Sequence, residues 1–154
     1  MNRTKRRLGL AAALAFVVGA SPAEAASLTL ACAGTLATTN VPKGGVAPDP
    51  EKENVSDFSV VVDLDRRVVF GFWFDTPKRT ITDAVHTALP ITQADPNGVY
   101  FEAHRKEKAI DEGIHGSVDR ITGAVSAMDI KLYPSGNMQT LDWDLHCKPT
   151  RPLF

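Results

Sequence analysis

The chain is poor in the residues and motifs that usually mark an active site. It has two cysteines and four histidines among 154 residues, and no two histidines have a metal-ligand spacing such as HxxxH or HxH. CxxC, P-loop, GxGxxG and GxSxG motifs are all missing. We therefore assign no catalytic, metal-binding or cofactor-binding residue from the sequence, and we expect no cofactor.

Positive charge is also scarce once the start of the chain is set aside. Residues 1–25 have the parts of a secretory signal peptide: a basic start (Met1–Arg7), an apolar run (Leu8–Ala20) and a cleavage signal (Ala23–Ala25). Its removal would leave residues 26–154 as one domain with 13 basic and 17 acidic residues, a formal net charge of −4. Since no basic patch and no further membrane-spanning run remain, we expect a periplasmic or secreted protein that binds neither nucleic acid nor membrane.

Both cysteines lie in the terminal stretches of this domain. The segment Leu141–Cys147 alternates apolar with polar residues, which is the period-two pattern of a half-buried strand with Cys147 on its apolar face. Near the start, Cys32 shares one face with Leu28 and Leu30. Two cysteines in an exported chain usually pair with each other, so we predict a Cys32–Cys147 disulfide between the first and last strands. The alternative is two free buried thiols.

Short stretches of strand character continue along the domain. Strands are predicted at 27–38, 57–64, 68–74, 80–89, 99–104, 114–119, 124–132 and 138–147. About eight short strands separated by turn signals are typical of an all-β sandwich or a small barrel. A bridge between the terminal strands favours a single antiparallel meander that closes into a small barrel, although a sandwich whose terminal strands face each other across the core would also allow it.

Some of these segments carry more specific expectations. The second arm of the 57–74 hairpin should place Val68, Phe70 and Phe72 on one face, and Gly71 within it predicts a bulge or a bend. The loop 40–54, with three prolines and two glycines, should be exposed. We interpret the charged stretch 105–113 as a connection or one turn of helix.

The turn Asp119-Arg-Ile-Thr-Gly123 is interpreted as a tight hairpin turn, in which Asp119 and Arg120 could also hold a neighbouring loop. Asp142 and Asp144 share one strand face, as paired carboxylates do in glycosidase or calcium sites. A solvent-facing strand explains these two carboxylates better, because half-exposed strands normally carry polar residues on the outer face.

Four segments carry a resemblance to known proteins. They are Cys-Ala-Gly-Thr at 32–35, Phe-Ser-Val-Val-Val-Asp-Leu-Asp at 58–65, Gly-Ser-Val-Asp-Arg-Ile-Thr-Gly-Ala at 116–124 and His-Cys-Lys-Pro at 146–149. With this N-terminal CxG and C-terminal CKP motif, the chain resembles small uncharacterised exported (periplasmic) proteins of Gram-negative bacteria. It is more faintly similar to periplasmic inhibitors and small ligand-binding barrels. The resemblance implies export and a β fold, but no activity.

Our leading functional hypothesis is a non-enzymatic β domain of the cell envelope that binds a small ligand or a protein partner. Trp73, Tyr100 and Trp143 are the candidate binding surface, because aromatic side chains supply large contact areas. One alternative is an inhibitor of a hydrolase that acts through the loop 40–54. The other is a hydrolase that uses Asp142, Asp144 or the histidines.

Overall fold

The structure is a closed antiparallel β barrel. The computed structural model describes residues 27–72, 87–107 and 109–150, and these form the following strands: β1 (Ser27–Val41), β2 (Glu51–Asp63), β3 (Val68–Phe70), β4 (Leu89–Ala94), β5 (Gly98–Glu107), β6 (Ile110–Asp119), β7 (Ala124–Leu132) and β8 (Met138–Pro149). Each strand pairs with the next, and β8 returns to pair with β1. The predicted all-β meander is confirmed, with closure into a barrel rather than a sandwich.

Several expectations fall on other parts of the chain. The predicted leader, Trp73, most of the predicted strand 80–89 and residues 151–154 lie outside the described residues. No helix in the described part of the chain is long and apolar enough to cross a membrane.

Strand alternation decides which side chains fill the barrel. On β8, Leu141, Trp143, Leu145 and Cys147 are buried, whereas Asp142, Asp144 and His146 are exposed. The same period on β7 buries Val125 and Ala127, and the bounds predicted for that strand are confirmed. Because neighbouring strands pair in register, their inward residues meet in rows across the interior.

An aromatic cluster fills the middle of the barrel. The ring of Phe72 lies 5.4 Å from that of Phe101 and 5.5 Å from that of Trp143, measured between centroids. Phe101 faces Gly116 on β6, where an added Cβ would stand 2.4 Å from the Phe101 ring. Glycine at position 116 therefore makes the room that this ring occupies. Each fully buried aromatic side chain stabilises the fold by about 1.5 to 3 kcal/mol.

The bend predicted at Gly71 is confirmed, but the residues assigned to its faces are corrected. Gly71 has a φ of 121°, and an added Cβ would lie 2.4 Å from the carbonyl oxygen of Ser59. The bend changes the alternation, so that Phe72 is buried on the same side as Val69, while Phe70 is only half-buried. A side chain at position 71 would be strained and would also strike β2.

The barrel is closed by the pairing of β1 with β8. Their register extends from Leu30 opposite Pro149 to Val41 opposite Met138. Cys32 lies directly opposite Cys147, and the two form the predicted disulfide, which spans a sequence separation of 115 residues. The covalent bond and the backbone ladder therefore hold the same two strands together.

Strands β2, β5 and β6 are longer than the sequence indicated. The charged stretch 105–113 is not a loop or a helical turn, because β5 continues to Glu107 and β6 begins at Ile110. β2 begins at Glu51, which shortens the loop predicted at 40–54 to residues 42–50. A shift in the β1–β2 register between Cys32 and Gly34 interrupts the alternation here, so the extra strand has no clear periodic pattern.

We expect the double variant Cys32→Ser/Cys147→Ser to stay folded but to lose about 2 to 4 kcal/mol of unfolding free energy, because a long closed loop is no longer restricted in the unfolded chain. Urea unfolding followed by tryptophan fluorescence measures this loss. The wild-type protein in excess reductant should reproduce it. An unchanged urea midpoint in both experiments would show that the backbone seam alone sets the stability.

Candidate functional site

One end of the barrel interior contains an apolar cavity, which we call the mouth cavity. It lies where β1 and β5 begin and β2 and β6 end, and its volume is about 250 Å³. Its lining consists of five aliphatic side chains and two polar residues: Leu28, Val62, Leu64, Val99 and Val118, with Ser27 and Arg120. A closed barrel of this size has room for its own side chains or for one small ligand.

Arg120 is the positively charged residue of this lining. It belongs to the turn between β6 and β7, and its Nη1 donates a hydrogen bond to the carbonyl oxygen of Asp95 at 3.1 Å. Its backbone N–H donates to the carbonyl oxygen of Asn97 at 2.8 Å. Both bonds tie this turn to the β4–β5 turn, so Arg120 holds a neighbouring loop, whereas the Asp119 carboxylate is bonded within its own turn. The two bonds of Arg120 also fix the guanidinium beside the cavity.

The two acidic residues of these turns are used locally. The Asp95 carboxylate accepts the backbone N–H groups of Asn97 and Gly98 at 2.8 and 2.9 Å. Asp119 accepts those of Ile121 and Thr122 at 2.8 and 2.9 Å. These backbone donors lower the pKa of both carboxyl groups below the ordinary value. Among the described residues, Arg120 forms no ion pair with either one, but its positive charge contributes to the lowered pKa of Asp95.

The opposite end of the interior is charged. Arg105, Glu112 and Lys131 hold successive inward positions on β5, β6 and β7 and lie opposite one another in the register. Gln139 and Asn40 continue this row onto β8 and β1, where Gln139 Nε2 donates to Asn40 Oδ1 at 2.9 Å. The row therefore places polar side chains across five neighbouring strands.

Four of the groups at this end form what we call the internal charge cluster: Arg105, Glu112, Asp129 and Lys131. Arg105 Nη2 lies 2.7 Å from Glu112 Oε2. Lys131 Nζ lies 3.4 Å from Glu112 Oε1 and 3.3 Å from Asp129 Oδ2. Glu112, Asp129 and Lys131 are at most 3% exposed. Opposite charges thus compensate each other where water is largely excluded.

Asp129 has the least favourable position in the cluster. It is fully buried, and its partners across the strands are Ile114 and Leu141. Burial raises the pKa of its carboxyl group from 3.8 to about 7, and the charge of Glu112 adds to the rise while Lys131 opposes it. Asp129 therefore changes its protonation near neutral pH, unlike an ordinary aspartate.

The sequence pattern contained a signal for this cluster. Asp129 and Lys131 continue the buried face of Val125 and Ala127 at period two, so strict alternation puts them inside the barrel. Charge alone is a misleading guide, because it suggests exposure for most residues. Arg105 and Glu112 face each other because β5 pairs with β6, and neither strand alone indicates this contact.

The candidate binding aromatics are not brought together in the described structure. Tyr100 is 46% exposed on the outer face of β5, and Trp73 lies outside the described residues. Trp143 is 2% exposed and points into the core, which corrects its place on a binding surface, because the alternation of β8 turns it inward. Neither Tyr100 nor Trp143 lines the mouth cavity.

The carboxylates and the three described histidines considered for catalysis lie on the outer surface, and His86 lies outside the described residues. Asp142, Asp144 and His146 are exposed along β8, which agrees with the solvent-facing interpretation. His104 pairs with Asp111, Nε2 to Oδ1, at 2.5 Å. The described residues contain no group of three or more His, Cys, Asp or Glu side chains that could hold a metal ion.

The raised pKa of Asp129 predicts that the free energy of unfolding falls as the pH rises. The folded chain keeps this proton up to about pH 7, whereas an ordinary unfolded carboxyl group, with a pKa of 3.8, has released it. The stabilisation is therefore complete below pH 3.8 and is lost as the pH passes through about 7. We expect a decrease of roughly 1 to 3 kcal/mol between pH 5 and pH 8, measured by urea unfolding.

Asp129→Asn should flatten this pH dependence, because the amide is neutral throughout and has nearly the same shape. Asp142→Asn is the matched control, since it makes the same chemical change on the exposed face of β8 and should keep the wild-type slope. Equal slopes in the wild type and Asp129→Asn would exclude Asp129 as the source.

Comparison with known proteins identifies no relative of this chain. No family model, no curated protein and no solved structure matches the chain. Any function assigned to the barrel therefore has to be argued from its own features: the mouth cavity, the guanidinium beside it and the internal charge cluster at the far end.

Proposed function

We propose that the chain is an exported, non-enzymatic protein that binds one small, largely apolar molecule in the mouth cavity. The observation that carries this proposal is the lining of about 250 Å³ of space by five aliphatic side chains at one end of a closed barrel. For comparison, an engineered apolar cavity of about 150 Å³ is large enough to bind benzene. A single aromatic ring or a short aliphatic chain fits this space.

The free energy expected from burying apolar surface is consistent with such a ligand. Removing about 200 Å² of apolar ligand and cavity surface from water gains about 5 kcal/mol, before the cost of immobilising the ligand is subtracted. The remainder corresponds to weak to intermediate affinity, as expected for a small ligand. Leu28 and Cys32 share the inward face of β1, so the disulfide helps to fix one wall of the cavity.

Export is supported by the disulfide and by the sequence of the leader. Disulfides persist in oxidising compartments and are rare in the cytosol, and both cysteines of the chain are joined in the Cys32–Cys147 bridge. A periplasmic or secreted location also agrees with the basic start, apolar run and cleavage signal in residues 1–25.

Titration with 1-octanol tests the binding proposal, because this molecule is a neutral, mostly apolar chain of suitable size. We expect saturable binding by calorimetry, with methyl NMR shifts concentrated at Leu28, Val99 and Val118. Leu28→Trp should abolish binding by filling the cavity. Leu132→Trp is the matched control, because Leu132 is 49% exposed on β7; binding that survives Leu28→Trp, or shifts elsewhere, would refute the site.

Intact mass of the protein purified from a periplasmic extract tests export. We expect loss of residues 1–25 and a mass two hydrogens below that of the reduced chain, because the Cys32–Cys147 bond removes one hydrogen from each thiol. Reduction followed by alkylation should add two labels. An uncleaved chain with two free thiols would contradict the export proposal and would leave the cavity proposal to its own test.

A further inference from the structure

We infer that the ligand of the mouth cavity is an amphiphile with a short apolar body and a carboxylate head, and that Arg120 binds the head. The inference rests on the proposed function and adds the chemical class of the ligand. It depends on one juxtaposition: a guanidinium lies in the same lining as Leu28, Val62, Leu64, Val99 and Val118.

The position of Arg120 is set before any ligand arrives. Nη1 is held by the carbonyl oxygen of Asp95, and the backbone of Arg120 is held by the carbonyl oxygen of Asn97. Because carbonyl groups are neutral, these bonds orient the guanidinium without cancelling its charge. The guanidinium has five N–H donors, of which the bond from Nη1 uses one. The remaining donors can engage a carboxylate in the paired geometry that arginine favours.

Three acidic side chains at this end of the barrel are held by backbone groups. Asp95 and Asp119 each accept two backbone N–H groups of their own turns, and Asp63 accepts the backbone N–H of Arg66 at 2.8 Å. These bonds keep the three carboxylates in their turns and outside the cavity lining, so Arg120 is the charged group that an incoming ligand meets there, with its charge partly offset by Asp95. A ligand ammonium group would instead face the guanidinium and be repelled.

The cavity determines which part of the ligand is buried and which part stays at the surface. Val62, Val99 and Val118 are at most 2% exposed and form its deeper wall, whereas Arg120 is exposed on the turn that follows β6. The apolar body of an amphiphile would therefore enter first, and its carboxylate would stay at the surface beside the guanidinium. In this orientation the hydrocarbon is removed from water while the carboxylate stays partly hydrated. The free-energy cost of burying an ion is therefore avoided.

The test compares three ligands that share an eight-carbon chain: octanoate, 1-octanol and octylamine. Calorimetry at neutral pH should give an affinity for octanoate about tenfold higher than that for octanol, the gain expected from a charge-assisted hydrogen bond at a partly exposed site. Octylamine, protonated under these conditions, should bind more weakly than octanol. The octanoate preference should shrink in high salt.

Arg120→Gln should bring the affinity for octanoate down to that for octanol and leave octanol unchanged. Arg120→Lys keeps the charge without the planar fork and should retain part of the preference, which guards against loss of the turn as the cause. Arg66→Gln is the matched control, because Arg66 lies 6.0 Å from the centre of the Phe70 ring and is not part of the cavity lining.

The possible outcomes separate the inference from the function on which it rests. Equal affinities for octanoate and octanol, or a preference for octylamine, would overturn the carboxylate assignment while the cavity remains a binding site. An octanoate preference that survives Arg120→Gln would overturn the role of Arg120. Failure of all three compounds to bind would overturn both proposals.

Discussion

All other features of the fold presuppose the pairing of β1 with β8, which closes the barrel. An open meander would leave two edge strands with unpaired backbone groups and an apolar face without cover. Closure pairs those edges and gives every strand an inside and an outside. Cys32 and Cys147 lie opposite each other within this seam, so the disulfide reinforces the contact that hydrogen bonds already make. The mouth cavity lies at one end of the barrel that this closure completes.

The interior is divided along its length by chemistry. Aliphatic side chains line the mouth cavity, an aromatic cluster that includes Phe72 and Phe101 fills the middle, and the internal charge cluster occupies the far end. Buried ion pairs stabilise a fold less than their geometry suggests, because each charge loses hydration. Here the basic residues Arg105 and Lys131 compensate the negative charge of two carboxylates that the strand register places inside the barrel. The charge of Asp129 is compensated least. Burial raises its pKa, so its protonation changes near neutral pH.

Sequence alone predicted the features that depend on local periodicity. The limits of β7, the alternation of β8, the bend at Gly71 and the disulfide between Cys32 and Cys147 all follow from patterns within short stretches or from the redox chemistry of exported chains. The prediction for residues 105–113 failed because it required two segments to be combined. The sequence pattern placed Arg105 and Glu112 in a charged connection or one turn of helix. A charged side chain that faces water and one that faces an oppositely charged side chain look the same in a sequence.

Local patterns were enough to specify an all-β domain with joined ends, because period-two alternation marks the strands and two cysteines on apolar faces mark the link between the first and the last strand. The positions of the cavity-lining residues depend on the tertiary structure. Leu28, Val62, Val99 and Val118 come from four different strands, and Arg120 comes from a turn. They share one cavity because barrel closure and strand register bring distant segments to the same end. Neither constraint is expressed in the local pattern of any single strand.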